Sequence, residues 1–293
     1  MRKIFYLAMV AVTAIFAGCA NDEDALLPND SLKDTPINVD VLVSGINTRA
    51  GYDTYNLPKM FYLSIDQNGT KYDYTNVVMK YEGSKWVAYE SDATDAAKKQ
   101  LLWEGSEVNV IVTAATFPLP KTSTSYALSV QTDQSTAEAV KASDHLCYYS
   151  NAVTPSIGGI SLGLDHIMSK ISVKLTLGTE YKDSATNPIT SVSAFGASTG
   201  ATYSPVVETP WSEQSNVKKI TLIPSVAYNT ADRTATYEAI LVPQTIAENT
   251  FGIEIRIGEK TYEWTSADAF TLTGGTNHIL EMTVGNASSE NIN

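Results

Sequence analysis

The chain has 293 residues, with 20 lysines and arginines against 32 aspartates and glutamates, for a formal net charge of −12. So acidic a surface excludes nucleic acid and anionic membrane surfaces as electrostatic partners. Two cysteines exclude a disulfide framework, and the length fits two ordinary domains better than one large one.

Arg2 and Lys3 precede an apolar run from Ile4 to Phe16 that is too short for a membrane span. Residues 1–18 are therefore expected to be a signal peptide. It ends in Phe16-Ala17-Gly18-Cys19, which resembles a bacterial lipobox, with Phe16 where Leu or Val is usual. On that reading Cys19 becomes the lipidated first residue of the mature chain; the alternative is an ordinary cleaved signal beside an accidental cysteine. Cleavage removes two basic and no acidic side chains, leaving 18 against 32 over 275 residues. With Cys19 lipidated, Cys147 has no partner in the chain and reads as a small buried apolar side chain. Residues 19–36, opening with Ala20-Asn21-Asp22-Glu23-Asp24, have no apolar period and read as an acidic, solvated tether. The acidic run also resembles an export signal of surface lipoproteins.

Strand patterning begins with the apolar side chains of Ile37, Val39, Val41 and Val43, at every second position. Six residues beyond Val43 stands Arg49, followed by Ala50, in a small polar stretch. Further period-two segments are Phe61, Leu63, Ile65; Val108, Val110, Val112; Tyr126, Leu128, Val130; Ile171, Val173, Leu175, Leu177; and Ile253, Ile255, Ile257. Gln67-Asn68-Gly69 reads as a turn, and Gly258-Glu259 as a hairpin joining Ile257 to Tyr262 and Trp264. One helix is predicted over Ala137 to Ala142, with a capping-box spacing in Ser135-Thr136-Ala137-Glu138, covering an edge or corner of the first domain. The pattern breaks and restarts between Leu164 and Lys170, which divides the chain into domains at 37–165 and 166–293.

The chemistry-bearing patterns are weak. Gly159-Ile160-Ser161-Leu162-Gly163 matches a G-x-S-x-G nucleophile motif, but it lies within an alternating strand rather than on a strand-to-helix elbow. His145, His166 and His278 have no metal-ligand spacing, and no phosphate loop or paired catalytic carboxylates can be picked out. No metal or cofactor and no enzymatic activity are therefore expected. Tyr52, Tyr55, Tyr72, Tyr74, Tyr148 and Tyr149 stand in polar surroundings, where rings could stack on sugars or, as sheets usually require, form cross-strand pairs.

The order of these segments resembles the fimbrillin family of pilus subunits and related lipoproteins. The resemblance is carried by the lipobox, by Asn47-Thr48-Arg49-Ala50 after the first strand, by Leu101-Leu102-Trp103, and by "YALSVQTDQSTAEAVKASD" from Tyr126 to Asp144. It continues through "LDHIMSKISVKLTL" from Leu164 to Leu177 and "YEAILVPQ" from Tyr237 to Gln244. It implies an all-β protein of two tandem antiparallel β-sandwich domains of transthyretin-like topology with one short helix. It also implies export as a surface-exposed outer-membrane lipoprotein, anchored through the lipid on Cys19 before processing. An arginine-directed protease would then cut at Arg49-Ala50, and the first strand would be replaced by a strand donated by another fimbrial subunit. A host or bacterial surface ligand is the further partner implied.

After Val284 only Gly285 and an eight-residue polar tail remain, with Ile292 as its single large apolar residue. Either Leu280, Met282 and Val284 complete the second domain, or they are themselves a donor strand. The first choice predicts a tip or accessory subunit rather than a repeating stalk subunit. The rival function is a non-polymerising, glycan-binding surface lipoprotein that keeps residues 19–49.

Overall fold

A computed structural model describes residues 32–44, 51–53, 56–106, 108–118 and 124–285. Strands dominate, as the alternation predicts. In chain order the first are β1 (Val39–Ser44), β2 (Met60–Asp66), β3 (Tyr74–Glu82), β4 (Lys85–Tyr89), β5 (Val110–Ala115) and β6 (Tyr126–Ser129). Helix α1 (Ala137–Ser143) follows, then β7 (Leu146–Val153), β8 (Ile160–His166), β9 (Ser169–Leu177), β10 (Ile189–Phe195), β11 (Ser198–Tyr203) and β12 (Trp211–Val217). The chain continues through β13 (Ile220–Thr221), β14 (Ile223–Asn229), β15 (Thr234–Leu241) and β16 (Gln244–Ile246). It closes with β17 (Gly252–Ile257), β18 (Lys260–Thr265), β19 (Phe270–Leu272) and β20 (Asn277–Val284).

The first seven-stranded sheet runs β1-β8-β7-β5-β2-β3-β4, and it curls so that β1 approaches β4 at its far end. One face encloses a core that includes Phe61, Leu63, Ile65, Trp103, Leu146, Leu162 and Leu164. The second core is enclosed by β14-β15-β9-β20, β13-β10-β17-β18, β12-β11-β6 and the ribbon β16-β19. Pairing within the sheets is antiparallel as predicted, except at two edges. β1 joins β8 in parallel, and β20 joins β9 in parallel. Met282 and Val284 of β20 are buried and Leu280 packs against the second core, so this segment completes its own sheet.

Core membership does not follow chain order. Ala115, Phe117, Tyr126, Leu128, Val130, Val140 and Cys147 all pack into the second core, although they precede residue 166. β6 pairs with β11, and the loop after it is fastened by Gln134, which is fully buried. Its amide donates from Nε2 to the Ile240 carbonyl at 2.7 Å and accepts the Ile240 N–H through Oε1 at 2.8 Å, acting as a stand-in for a strand neighbour of β15.

Helix α1 therefore covers the second core rather than a corner of the first, through Val140. Its N-cap is Thr136, whose hydroxyl accepts from Ala139 N at 3.2 Å. The capping box expected at Ser135 is not formed because Asp133 takes the Ser135 N–H into its own turn at 3.0 Å. Val108 is exposed before the start of β5, so the first member of that alternating triplet lies outside the strand. The predicted turn at Gln67-Asn68-Gly69 is present, with Asn68 and Gly69 both at positive φ and Gln67 buried. The predicted hairpin between β17 and β18 pairs in full register from Gly252↔Thr265 to Ile257↔Lys260.

Candidate functional site

β1 lies along the edge of the first sheet. Before β1, residues 34–37 run antiparallel to 101–103. Asp34 N donates to the Trp103 carbonyl at 3.0 Å, Trp103 N to Thr35 at 2.9 Å, and Ile37 N to Leu101 at 2.9 Å. The chain then crosses to β8, where Ile160 N donates to the Asn38 carbonyl at 2.8 Å. From there Val39, Val41 and Val43 lie opposite Ile160, Leu162 and Leu164 in an unbroken parallel register, and Ser44 hydrogen-bonds Asp165.

Ile37, Val39, Val41 and Val43 are all buried on one face, while Leu42 on the other is 61% exposed. Each buried side chain of this size contributes about 1.5 to 3 kcal/mol, so the four together contribute about 6 to 12 kcal/mol of gross burial energy. A domain retains a net stability of only about 5 to 15 kcal/mol. Loss of this strand without a substitute would uncover Ile160, Leu162 and Leu164 and leave β8 as an unpaired edge.

The groove walls are tied together by hydrogen bonds. Trp103 is completely buried and its indole N–H donates to the Ser156 carbonyl at 2.9 Å. Tyr74 accepts the Leu102 N–H through its hydroxyl at 2.9 Å, and Tyr72 donates its hydroxyl to Asp34. Burial raises the Tyr74 hydroxyl above its ordinary range. Tyr72 and Tyr74 are thus buried beside the segment that leads into β1, and Tyr52, Tyr148 and Tyr149 are half-buried. Tyr55 lies outside the described residues.

Gly159 sets the entry. It sits at φ +84°, and a Cβ there would lie 2.1 Å from the Asn38 carbonyl oxygen. Only glycine lets the two backbones approach this closely. In the sequence this residue stood out solely as part of G-x-S-x-G; the next positions form β8, and Ser161 faces away from the core.

Beyond residues 45–50, Tyr52 and Asn56 are held by hydrogen bonds. Tyr52 N donates to Asp144 Oδ2 at 3.0 Å, and Asn56 Nδ2 to the Gly51 carbonyl at 2.6 Å. Asp144 is buried and its Oδ1 lies 2.7 Å from His166 Nδ1, so one carboxylate links this segment to the junction of β8 and β9. The Tyr52 hydroxyl is raised, first by burial and then by the Asp144 charge. Cys19, Arg49 and Ala50 lie outside the described residues. No group of three or more histidine, cysteine or carboxylate side chains able to hold a metal occurs among the described residues.

Solved structures share the fold. A candidate cell adhesion protein from Bacteroides ovatus superposes with a TM-score of 0.64 at 17% identity, covering 86% of this chain and 93% of that one. A second, from Bacteroides uniformis, superposes with a TM-score of 0.56 at 14% identity, covering 87% and 95%. No curated protein matches. The fimbrillin-like family profile matches residues 48–293, which takes in every strand after β1. The chain belongs to the fimbrillin-like family.

Proposed function

We propose that this protein is a structural and adhesive subunit of a surface fimbrium, assembled by exchange of its first strand. In this reading Cys19 carries the lipid that holds the precursor at the outer membrane, facing outward. Cleavage between Arg49 and Ala50 then frees β1, and a strand donated by a neighbouring subunit takes its place beside β8.

The observation that carries the reading is the placement of β1. It is an edge strand whose Val39, Val41 and Val43, with Ile37 just before it, lie buried in a groove, and it is followed in sequence by the segment that contains Arg49. Parallel strand addition at such an edge restores both the ladder and the burial, and alternate pockets supply specificity. The family match beginning at residue 48 supports the same division, because it leaves β1 outside. The tip or accessory role rests on β20, which is paired to β9 along its whole length and is therefore already used within its own subunit.

Arg49→Ala tests the exchange. The variant precursor is expected to fold with unchanged stability and to stay out of high-molecular-weight fibres, with mass spectrometry finding its N-terminus still at Cys19. Wild-type protein recovered from fibres should begin at Ala50. Entry of the variant into fibres would overturn strand exchange. Cys19→Ser tests the anchor: membrane fractionation and lipid labelling should both be lost, and retention of either would remove the lipoprotein assignment.

A further inference from the structure

A cavity of about 690 Å³ is lined by residues from His166 to Gly274 and by none of β1. Its walls come from the junction of β8 and β9, from the β11–β12 hairpin, and from the β16–β19 ribbon. These segments are distant in sequence and only the fold assembles them.

The most distinctive wall residue is Trp211, half-buried at the first position of β12. It packs on Tyr203, its cross-strand partner and a neighbour in the lining, with ring centroids 4.8 Å apart and planes inclined at 49°. Ser204 N donates to the Pro210 carbonyl at 2.8 Å, closing the loop that carries Glu208 and Thr209 and fixing where it meets the indole. Gln244, on the opposite wall, has its amide fully committed: Nε2 donates to the carbonyls of Ser198 and Val242, and Oε1 accepts the Ser198 N–H. It is a rigid wall. By contrast Glu208, Thr209 and Gln214 have side chains with no hydrogen-bond partner among the described residues, and all three line the cavity.

We propose that this cavity binds a neutral oligosaccharide, with a pyranose ring stacked on Trp211 and its hydroxyls held by Glu208 and Gln214. The chemistry follows from the lining. An indole face accepts the C–H side of a sugar, and carboxylate and amide groups are suited to paired hydroxyls. The volume falls in the range of small-molecule sites, which run from about 300 to 1,000 Å³. Glutamate, glutamine and threonines interrupt an otherwise mainly apolar lining, which matches the mixed faces of a sugar ring. Among the described lining residues there is no lysine or arginine, and Glu208 stands in a chain of net charge −12, so sialylated and sulfated glycans are disfavoured. The site includes no part of β1 and does not depend on strand exchange.

The test uses the purified full-length chain with its first strand in place. It is titrated with lactose, N-acetyllactosamine, mannotriose and laminaritriose, with 3′-sialyllactose as the anionic comparison. Calorimetry and tryptophan fluorescence follow binding. At least one neutral sugar should bind and change the fluorescence, more tightly than 3′-sialyllactose does. Trp211→Ala should weaken binding by about tenfold, and Trp211→Phe should retain most of it. Because Trp211 also packs on Tyr203, the exposed Glu208→Ala variant provides a second reading: it should weaken binding with no change in melting temperature. Failure of all four neutral sugars to bind, or binding unchanged in both alanine variants, would overturn the proposal.

Discussion

The inward face of β1 can be tested directly by Val39→Ala/Val41→Ala. Both side chains are buried opposite Ile160 and Leu162 of β8. Each substitution removes two carbons, and at about 0.8 kcal/mol per buried carbon the pair should cost about 3 kcal/mol, with an additional term for any cavity left behind. That is a large part of a domain's net stability, and it corresponds to about a hundredfold rise in the population with the strand undocked. Urea unfolding of the precursor should report the loss, and hydrogen exchange should show Ile160 to Asp165 losing protection first. Leu42→Ala is the matched control: its side chain is 61% exposed, so it should change stability by no more than about 0.5 kcal/mol. If Leu42→Ala costs as much as the valine pair, the strand is docked with its other face inward and the reasoning from register fails.

Gly159→Ala should cost more than about 2 kcal/mol, since it combines a left-handed backbone with a Cβ 2.1 Å from the Asn38 oxygen. If its melting temperature matched the wild type, the entry of β1 would not be as tight as described. Lys170 and Glu238, 2.8 Å apart and both buried between β9 and β15, form an ion pair whose halves depend on each other. Lys170→Met should cost about 3 to 5 kcal/mol, and Lys170→Met/Glu238→Leu should recover most of it in chemical unfolding. A double variant as unstable as the single one would show that stranded charge is not the cause. Burial pushes the Cys147 thiol up to about 12, so at pH 8 about one molecule in ten thousand carries the thiolate. Iodoacetamide should label Cys147 only as fast as the protein unfolds; rapid labelling of native protein would contradict its burial.

Much of the architecture was legible because alternation reports a buried face directly. Ile37 to Val43, Ile160 to Leu164 and Ile171 to Leu177 all bury the side chains that their period selects. Alternation does not report a neighbour, so the parallel docking of β1 on β8 and of β20 on β9 could not be read from either strand alone. Local competition moved the helix cap: Asp133 reached Ser135 first and left Thr136 to begin the helix. The tyrosines near the first strand looked polar and exposed because their neighbours are; Tyr72 and Tyr74 are buried because their hydroxyls meet Asp34 and the Leu102 N–H. Gly159 and Trp211 carry no signal of their role in sequence, since each is defined by a segment that only the fold brings near.

The excursion of β6 and α1 into the second core imposes an order on folding. β5 and β7 pair with each other, so the first sheet can close around the chain that joins them while that chain is still waiting for its partners. Gln134 finds Ile240 across 106 residues, and β6 finds β11 only after the second half has been made. The first domain is thus able to form early with β1 in its groove, whereas the second core is completed last. Contacts this distant are slow to close. A chain made N-terminus first would have its first-strand groove occupied, and its edge protected, before the second core could close.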